Sequence, residues 1–313
     1  MKKEYCLCDH KILPCQEDEK PHVLLYIMPD AEETKYLVND CGIDEYNLQS
    51  SLDPDELSRY ESDGEHVAII FKRPRIYKAQ DDLTFKAAST GMFLFADRLI
   101  VVMDEELDVF NFKQFHRVQS VREVMLKLIF SSIFHFLGHL KVINFISSEI
   151  EQKISHSFGN KYLLNLFAIE KSLIYYLNSI NSNSSLLERM KMHAPQLGLA
   201  ENERELLDDI IIENQQCYKQ AEIYSNILVG MGDARASIVN NNLSIFMKRL
   251  TVITMIFAPL NFFAGVGGMS EFSMMTTGYP WKIAYPLFLV GMVLIAFFTY
   301  WWIRRVERRE RKK

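Results

Sequence analysis

The chain has 313 residues, 49% of them hydrophobic and 24% charged. That average globular composition excludes long disorder, a collagen-like fibre and a small disulfide scaffold. Its charge is uneven: residues 1–249 hold 27 Lys and Arg against 37 Asp and Glu, whereas residues 304–313 hold seven basic and two acidic side chains. Almost all the long apolar runs lie between those parts, which fits an acidic soluble body followed by a short membrane tail and not a wholly soluble enzyme.

Residues 1–20 read as an N-terminal tail. No apolar stretch of signal-peptide length follows Met1-Lys2-Lys3, so the body is expected to stay unexported. Five cysteines, an odd number in a long chain, argue against a disulfide framework. Cys6, Cys8, His10 and Cys15 are clustered and can bind a soft metal, but no second ligand pair stands at finger spacing. A frayed cytoplasmic terminus with reduced thiols is the expectation.

Residues 21–120 carry strand-like runs at 22–28, 66–71 and 99–103, with helical stretches between them, among them 44–61 with Pro54 in its first turn. This predicts a mixed α/β domain. There is no Walker loop, no GxGxxG and no GxSxG, and we expect no enzyme activity. Residues 121–200 read as helical arms: one helix over 125–136, another beginning at Gly138 and reaching 157, and a third over 161–180 stopped by Asn181-Ser182-Asn183-Ser184. Pro195 and Gly198 punctuate the next break. His135 and His139 stand four apart in an apolar run with no acid at ligand spacing, so packing is the better reading.

Residues 201–249 form the predicted stalk helix. No proline interrupts the chain from Ala200 to Pro259, and Leu206, Ile210, Cys217, Ala221, Tyr224 and Leu228 follow helical steps. Cys217 is expected in the core, and Gly230 and Gly232 are weak points. Such a helix cannot bury its apolar stripe alone, so helix neighbours and oligomerisation are expected.

Two membrane spans follow, at 250–269 and 283–303. Twenty-one residues give roughly 32 Å of helix, enough to cross the hydrocarbon. Lys248 and Arg249 precede the first span and the basic tail, 304–313, follows the second. The connecting loop, 270–282, has one Glu and one Lys. The positive-inside rule therefore puts both termini in the cytoplasm and the loop outside. Tyr279, Trp281 and Tyr285 mark the outer interface, and Tyr300, Trp301 and Trp302 the inner one. Directly after a span, the tail reads as an anchor to lipid phosphates rather than a nucleic-acid patch.

One helical face is small or polar except for Met247. Asn240, Ser244, Met247, Thr251, Thr254, Ala258, Asn261 and Gly265 follow steps of 4, 3, 4, 3, 4, 3, 4. Entering a membrane, such a stripe is either a tight small-residue helix contact or the wall of a water-filled pore built from several copies. Asn261 is costly against lipid, so it faces protein or water. Neutral oxygen rings suit a hydrated divalent ion such as Mg²⁺, which gives up its waters reluctantly. Met247 and Leu250 suit a dewetting constriction. Asp233, seven residues before Asn240, would ring the cytoplasmic mouth, and Glu271 the outer one.

At these residues the chain resembles the CorA-type divalent cation transporters. The resemblance is carried by 248–254, by Pro259-Leu260-Asn261-Phe262-Phe263-Ala264-Gly265, by Gly268-Met269-Ser270, and by a second span with a basic end. It implies a homopentameric funnel in the cell inner membrane: an α/β cytoplasmic domain, a long stalk and two C-terminal spans, the first lining the pore. The cargo implied is a divalent cation, with no other cofactor. The family signature is Gly-Met-Asn, usually preceded by Tyr. Here Gly268 and Met269 match, while Ser270 and Gly267 depart. The shorter Ser hydroxyl widens the ring and weakens its contacts, so Mg²⁺ comes first while Zn²⁺, Co²⁺ and Ni²⁺ stay open. A scaffold that has lost transport is the alternative. The family also senses cytoplasmic Mg²⁺ through acids between subunits, and Asp208 and Asp209 stand where such carboxylates are expected.

Overall fold

The computed structural model describes the chain apart from residues 9, 17–18, 63, 78–82, 108–109, 111–114, 116, 157–159 and 311–313. The last three positions of the predicted basic tail, and the end of the helix expected to reach 157, lie outside the described residues. The chain divides into two compact units, Met1–Gly232 and Asp233–Lys313.

The first unit is organised by a fully apolar strand, β3 (Val23–Ile27), in which no residue is more than 3% exposed. Burial on both faces demands partners on both edges and cover above and below. One edge is taken by β7 (Leu99–Met103), parallel to β3, and the other by β1 (Lys2–Cys8), antiparallel. Outside β1 lies β2 (Lys11–Pro14). Beyond β7 follow β6 (Ala87–Leu94), β5 (Val67–Pro74) and β4 (Arg59–Ser62), all antiparallel. The sheet order is β2-β1-β3-β7-β6-β5-β4.

Alternation splits the buried residues into two cores. Val23, Leu25, Ile27, Ile69, Val101 and Met103 face the larger core, whereas Leu24, Tyr26, Ala68, Ile100 and Val102 face the smaller. The smaller core is closed by Leu37 from α1 (Ala31–Asn39) and Leu48 from α2 (Glu45–Ser50). Asp30 caps α1, accepting from the Glu32 and Glu33 amides at 2.9 and 2.8 Å, while Glu33 accepts from the Asp30 amide at 3.1 Å.

The larger core is covered by α3 (Val121–His156), α4 (Asn160–Met192) and the first part of α6 (Glu201–Gly267). Between α4 and α6, the short α5 (Ala194–Leu197) ends at Gly198 with φ of 65°. That left-handed conformation is the one glycine adopts without a Cβ penalty.

Four expectations are corrected. Residues 2–14 are not a tail: Cys6 is 2% exposed, and a Cys6–Cys15 disulfide bridges the hairpin end where reduced thiols were expected. Cys8, Cys41 and Cys217 are free, and Cys217 is buried as expected. The predicted helix over 44–61 stops at Ser50. Pro54 disfavours helix at Asp53, the Lys72 ammonium donates to the Pro54 carbonyl at 2.7 Å, and the Ser89 hydroxyl donates to that of Asp53.

Residues 125–157 were expected to hold two helices, but α3 passes through Gly138 without a break. The run 181–184 does not stop α4 either. Ser184 donates to the Ile180 carbonyl at 3.2 Å and Ser185 to that of Asn181 at 3.4 Å, bonds that follow the helix. Asn183 turns inward to the sheet. Its amide donates to the Lys72 carbonyl at 2.8 Å and its oxygen accepts from the Lys72 amide at 2.8 Å. The β4 pairing ends at Ile70, so Asn183 supplies the strand-like partner that β5 then lacks.

Candidate functional site: a polar face on the first membrane helix

Among the described residues, three helices are long and apolar enough to cross a membrane: α3, α6 and α8 (Trp281–Glu310). They differ in what covers them. One third of the apolar window of α3 is buried, and Leu126, Ile129, Ile133, Phe136, Leu140 and Ile143 sit in the core beneath the sheet. None of the apolar windows of α6 and α8 is buried within the chain. Their exposed apolar surface requires lipid or further copies, which leaves α6 and α8 as the spans.

Helix α6 continues through Gly230 and Gly232, the last residues of the first unit, and on to Gly267 in the second. From Leu250 onward its half-buried residues are Val252, Ile256, Pro259, Leu260, Val266 and Gly267. On α8 the matching set is Ala284, Phe288, Gly291, Met292, Ile295, Ala296, Thr299 and Ile303. Both sets recur at three and four, as two helices packed along one seam do. The seam is tight at Gly267, where a Cβ would lie 2.7 Å from Phe288 Cζ.

The predicted stripe lies on the other side of α6. At 100° per residue, Thr251, Thr254, Ala258, Asn261 and Gly265 centre about 160° from the seam. All five are exposed in the single chain, as are Asn240, Ser244, Met247 and Leu250. Contact with α8 does not account for the stripe.

The hydroxyls along the stripe share one arrangement. Ser244 donates to the Asn240 carbonyl at 2.9 Å, Thr251 to Met247 at 2.8 Å, and Thr254 to Leu250 at 3.0 Å. Each proton is committed to the helix's own backbone, so each oxygen faces outward as an acceptor. Water held by a cation points its hydrogens away from the ion. A wall that meets such an ion must therefore accept hydrogen bonds, and this face does so without carrying charge.

At the C-terminal end of α6, the Gly268 amide donates to the Ala264 and Gly265 carbonyls at 3.1 and 3.2 Å, and the Met269 amide to Val266 at 3.1 Å. Ser270 and Glu271 open a one-turn helix, α7 (Ser270–Met275), within the connecting loop. The Ser270 hydroxyl donates to Glu271 Oε2 at 3.2 Å. Gly268, Met269, Ser270 and Glu271 are all exposed, as is Asp233 near the start of the second unit. At the far end of α8, Arg304 lies over the Tyr300 ring and Arg305 over Trp301, each 5.0 Å from the centroid.

Asp208 and Asp209 lie on the exposed side of α6 in the first unit. Asp208 pairs with Lys191 at 2.8 Å, an ion pair that raises the Lys191 pKa. His135 and His139 are half-buried in that unit: the rings of the two are 4.4 Å apart, and His139 Nδ1 shares a hydrogen bond with Tyr176 Oη at 2.6 Å. Burial, with His135 beside it, pushes the His139 pKa down to about 4. Neither histidine approaches the stripe's residues in sequence or shares their unit.

The sequence profile described as CorA-like Mg²⁺ transporter protein matches residues 24–305. A cobalt/magnesium transport protein, CorA, of Methanocaldococcus jannaschii is 23% identical over 286 residues, covering 86% of this chain and 87% of that one. The complete structure of the CorA magnesium transporter from the same organism superposes with a TM-score of 0.81 at 20% identity, over 97% and 96% of the two chains. The full-length CmaX protein gives 0.73 at 14% identity, over 97% of each.

Proposed function

The chain belongs to the CorA-like Mg²⁺ transporter family, and from that premise we propose that it conducts hydrated divalent cations, Mg²⁺ first, through an axial pore lined by α6 from five copies. Membership of the family places it among membrane proteins that transport divalent cations. The pore, the ion and the copy number are our reading.

The observation that carries it is the exposed stripe from Asn240 to Gly265, turned away from α8 and offering oxygen acceptors. In a symmetric assembly each level becomes a ring. Rings at Thr251, Thr254 and Asn261 accept hydrogen bonds from the ion's inner waters, so the ion passes without full dehydration. Met247 and Leu250 form the narrow apolar ring that closes by losing water. Asp233 draws cations to the cytoplasmic mouth, and Glu271, beside Ser270, does so at the outer one. Both termini lie in the cytoplasm of a cell whose inner membrane holds the protein, with Arg304 and Arg305 at the lipid phosphates. Asp208 and Asp209 sense cytoplasmic cation: an ion bound there must displace Lys191 from Asp208, which sets a threshold for occupancy. The gradient drives flux, and no nucleotide is hydrolysed.

The test is uptake of Mg²⁺, Co²⁺ and Zn²⁺ into proteoliposomes by the wild type and Asn261→Leu. Equal flux from both proteins sinks the stripe as the conduit. A second reading, a scaffold that no longer transports, is favoured by Ser270 and Gly267 at the signature. It requires zero wild-type flux and a gain with Ser270→Asn.

A further inference from the structure

The N-terminal hairpin gathers three side chains that transport does not use. Cys6 Sγ, Cys15 Sγ and a carboxylate oxygen of Glu19 all lie within 4.8 Å of one another. They are the only such group of three or more metal-ligating side chains among the described residues. We propose that Cys6, Cys15 and Glu19 form a redox-gated site for a thiophilic divalent cation, shut when the two sulfurs are bonded and open when they are reduced.

The gathering does not depend on the sulfur–sulfur bond. The ladder pairs Tyr5 with Pro14 and Cys6 with Leu13, and the Cys15 amide donates to the Glu4 carbonyl at 3.1 Å. The chain then turns back: the Glu19 amide donates to the Gln16 carbonyl at 3.1 Å, and the His22 amide to that of Tyr5 at 3.0 Å. These backbone bonds keep both cysteines and Glu19 together in either redox state. Cys6 is 2% exposed and its sulfur lies 3.6 Å from the Lys20 carbonyl, so the site has a dry inner side. Glu19 is exposed and leaves a wet outer side for water as a fourth ligand.

The ligand set selects the ion. Two thiolates and a carboxylate suit Zn²⁺ or Co²⁺, whose tetrahedral sites take sulfur at about 2.3 Å and oxygen at about 2.0–2.2 Å. They do not suit Mg²⁺, which takes oxygen alone. In the cytoplasmic orientation proposed above, thiols are kept reduced and disulfides are transient. Opening converts the disulfide to two thiols with two electrons and two protons. Two molecules of a thiol supply both and leave as their own disulfide, or a phosphine supplies the electrons and water the protons, its oxygen leaving as the phosphine oxide. Loading then releases both protons as the cation binds two thiolates. Cys8, two residues along β1, is a free thiol outside the group.

The test uses the full-length protein in detergent with excess Mg²⁺ to fill oxygen sites, titrated with Co²⁺ alone. After reduction by a phosphine, with thiols counted, we expect one cobalt per chain. It should show a thiolate-to-cobalt charge-transfer band and tetrahedral visible bands. Cobalt in the pore keeps oxygen ligands and gives neither, so loss of transport and loss of this site are read separately. Both bands should be absent from oxidised protein and from Cys6→Ser and Cys15→Ser, and kept in Cys8→Ser. The comparison of oxidised with reduced wild type needs no variant to fold. The proposal is overturned if the disulfide resists the reductant, if reduced protein lacks the bands, if they survive Cys15→Ser, or if Cys8→Ser removes them.

Discussion

Replacing Thr251 and Thr254 by Val keeps side-chain shape and removes the two oxygens that the stripe turns outward. Because those hydroxyls bond only their own helix, at 2.8 and 3.0 Å, the change leaves no buried partner unpaired, and α6 should fold and assemble as before. The effect should fall on the ion. A hydrogen bond to a charged group is worth about 1.5–3 kcal/mol. An ion with its waters leans on one side of a ring at a time, so about one such bond is lost at each level. The two rings are crossed in sequence, so the higher barrier governs and the losses do not add. A rise of about 2 kcal/mol slows Mg²⁺ flux roughly 30-fold. The assay is dye-reported Mg²⁺ uptake into proteoliposomes, with particle size checked by light scattering. Val290→Ala, on the exposed side of α8 away from the seam, is the control and should stay at the wild-type rate. Flux within about twofold of wild type in the double variant, or an equal fall in the control, refutes the assignment of this face to the ion path.

The half-buried His139 gives a pH dependence. Its folded pKa of about 4 lies below the ordinary 6.5, so the unfolded chain takes up a proton first as pH falls. Stability is intact above about 6.5 and should drain away by on the order of 3 kcal/mol down to about pH 4. Thermal unfolding across that range should show a falling midpoint, and His139→Gln, which keeps a hydrogen-bonding group for Tyr176 but cannot charge, should flatten the curve. Asn183→Ala should cost on the order of 3 kcal/mol, because it orphans the buried Lys72 amide. Ser132 still donates to the Lys72 carbonyl at 3.0 Å. Denaturant melts that match the wild type would show that β5 does not need this partner.

How much was legible depended on the kind of signal. The spans and the stripe could be read directly, since all-round apolar length and a 4-3 repeat are properties of one helix and need no neighbour. The strands β3, β5 and β7 declared themselves by apolar runs. By contrast, β6 hid behind Ser89, Thr90 and Gly91, residues that suit a loop. They are buried because the long side chains of the neighbouring strand lie across them: Lys72 Nζ reaches Ser89 Oγ and Arg73 Nε reaches Thr90 Oγ1, each at 3.0 Å. Gly91 leaves room for Ser51, whose Oγ would lie 1.9 Å from an added Cβ. No local pattern announces a partner that far away in the chain.

The hairpin at the N-terminus and the unbroken α4 fail for the same reason. Short alternation at 2–8 is weak until a buried neighbour, β3, needs its edge filled, and Asn183 is a helix breaker until its amide finds a strand. From the residues in order alone come the soluble body, the two spans, and a face of oxygens and small side chains entering the membrane, because hydrophobic length and helical period are written locally. Only the packed chain decided which side of α6 is covered by α8 and which is left open, where Cys6 meets Cys15 and Glu19, and how polar residues came to be buried. Those outcomes depend on hydrogen bonds and contacts between distant segments.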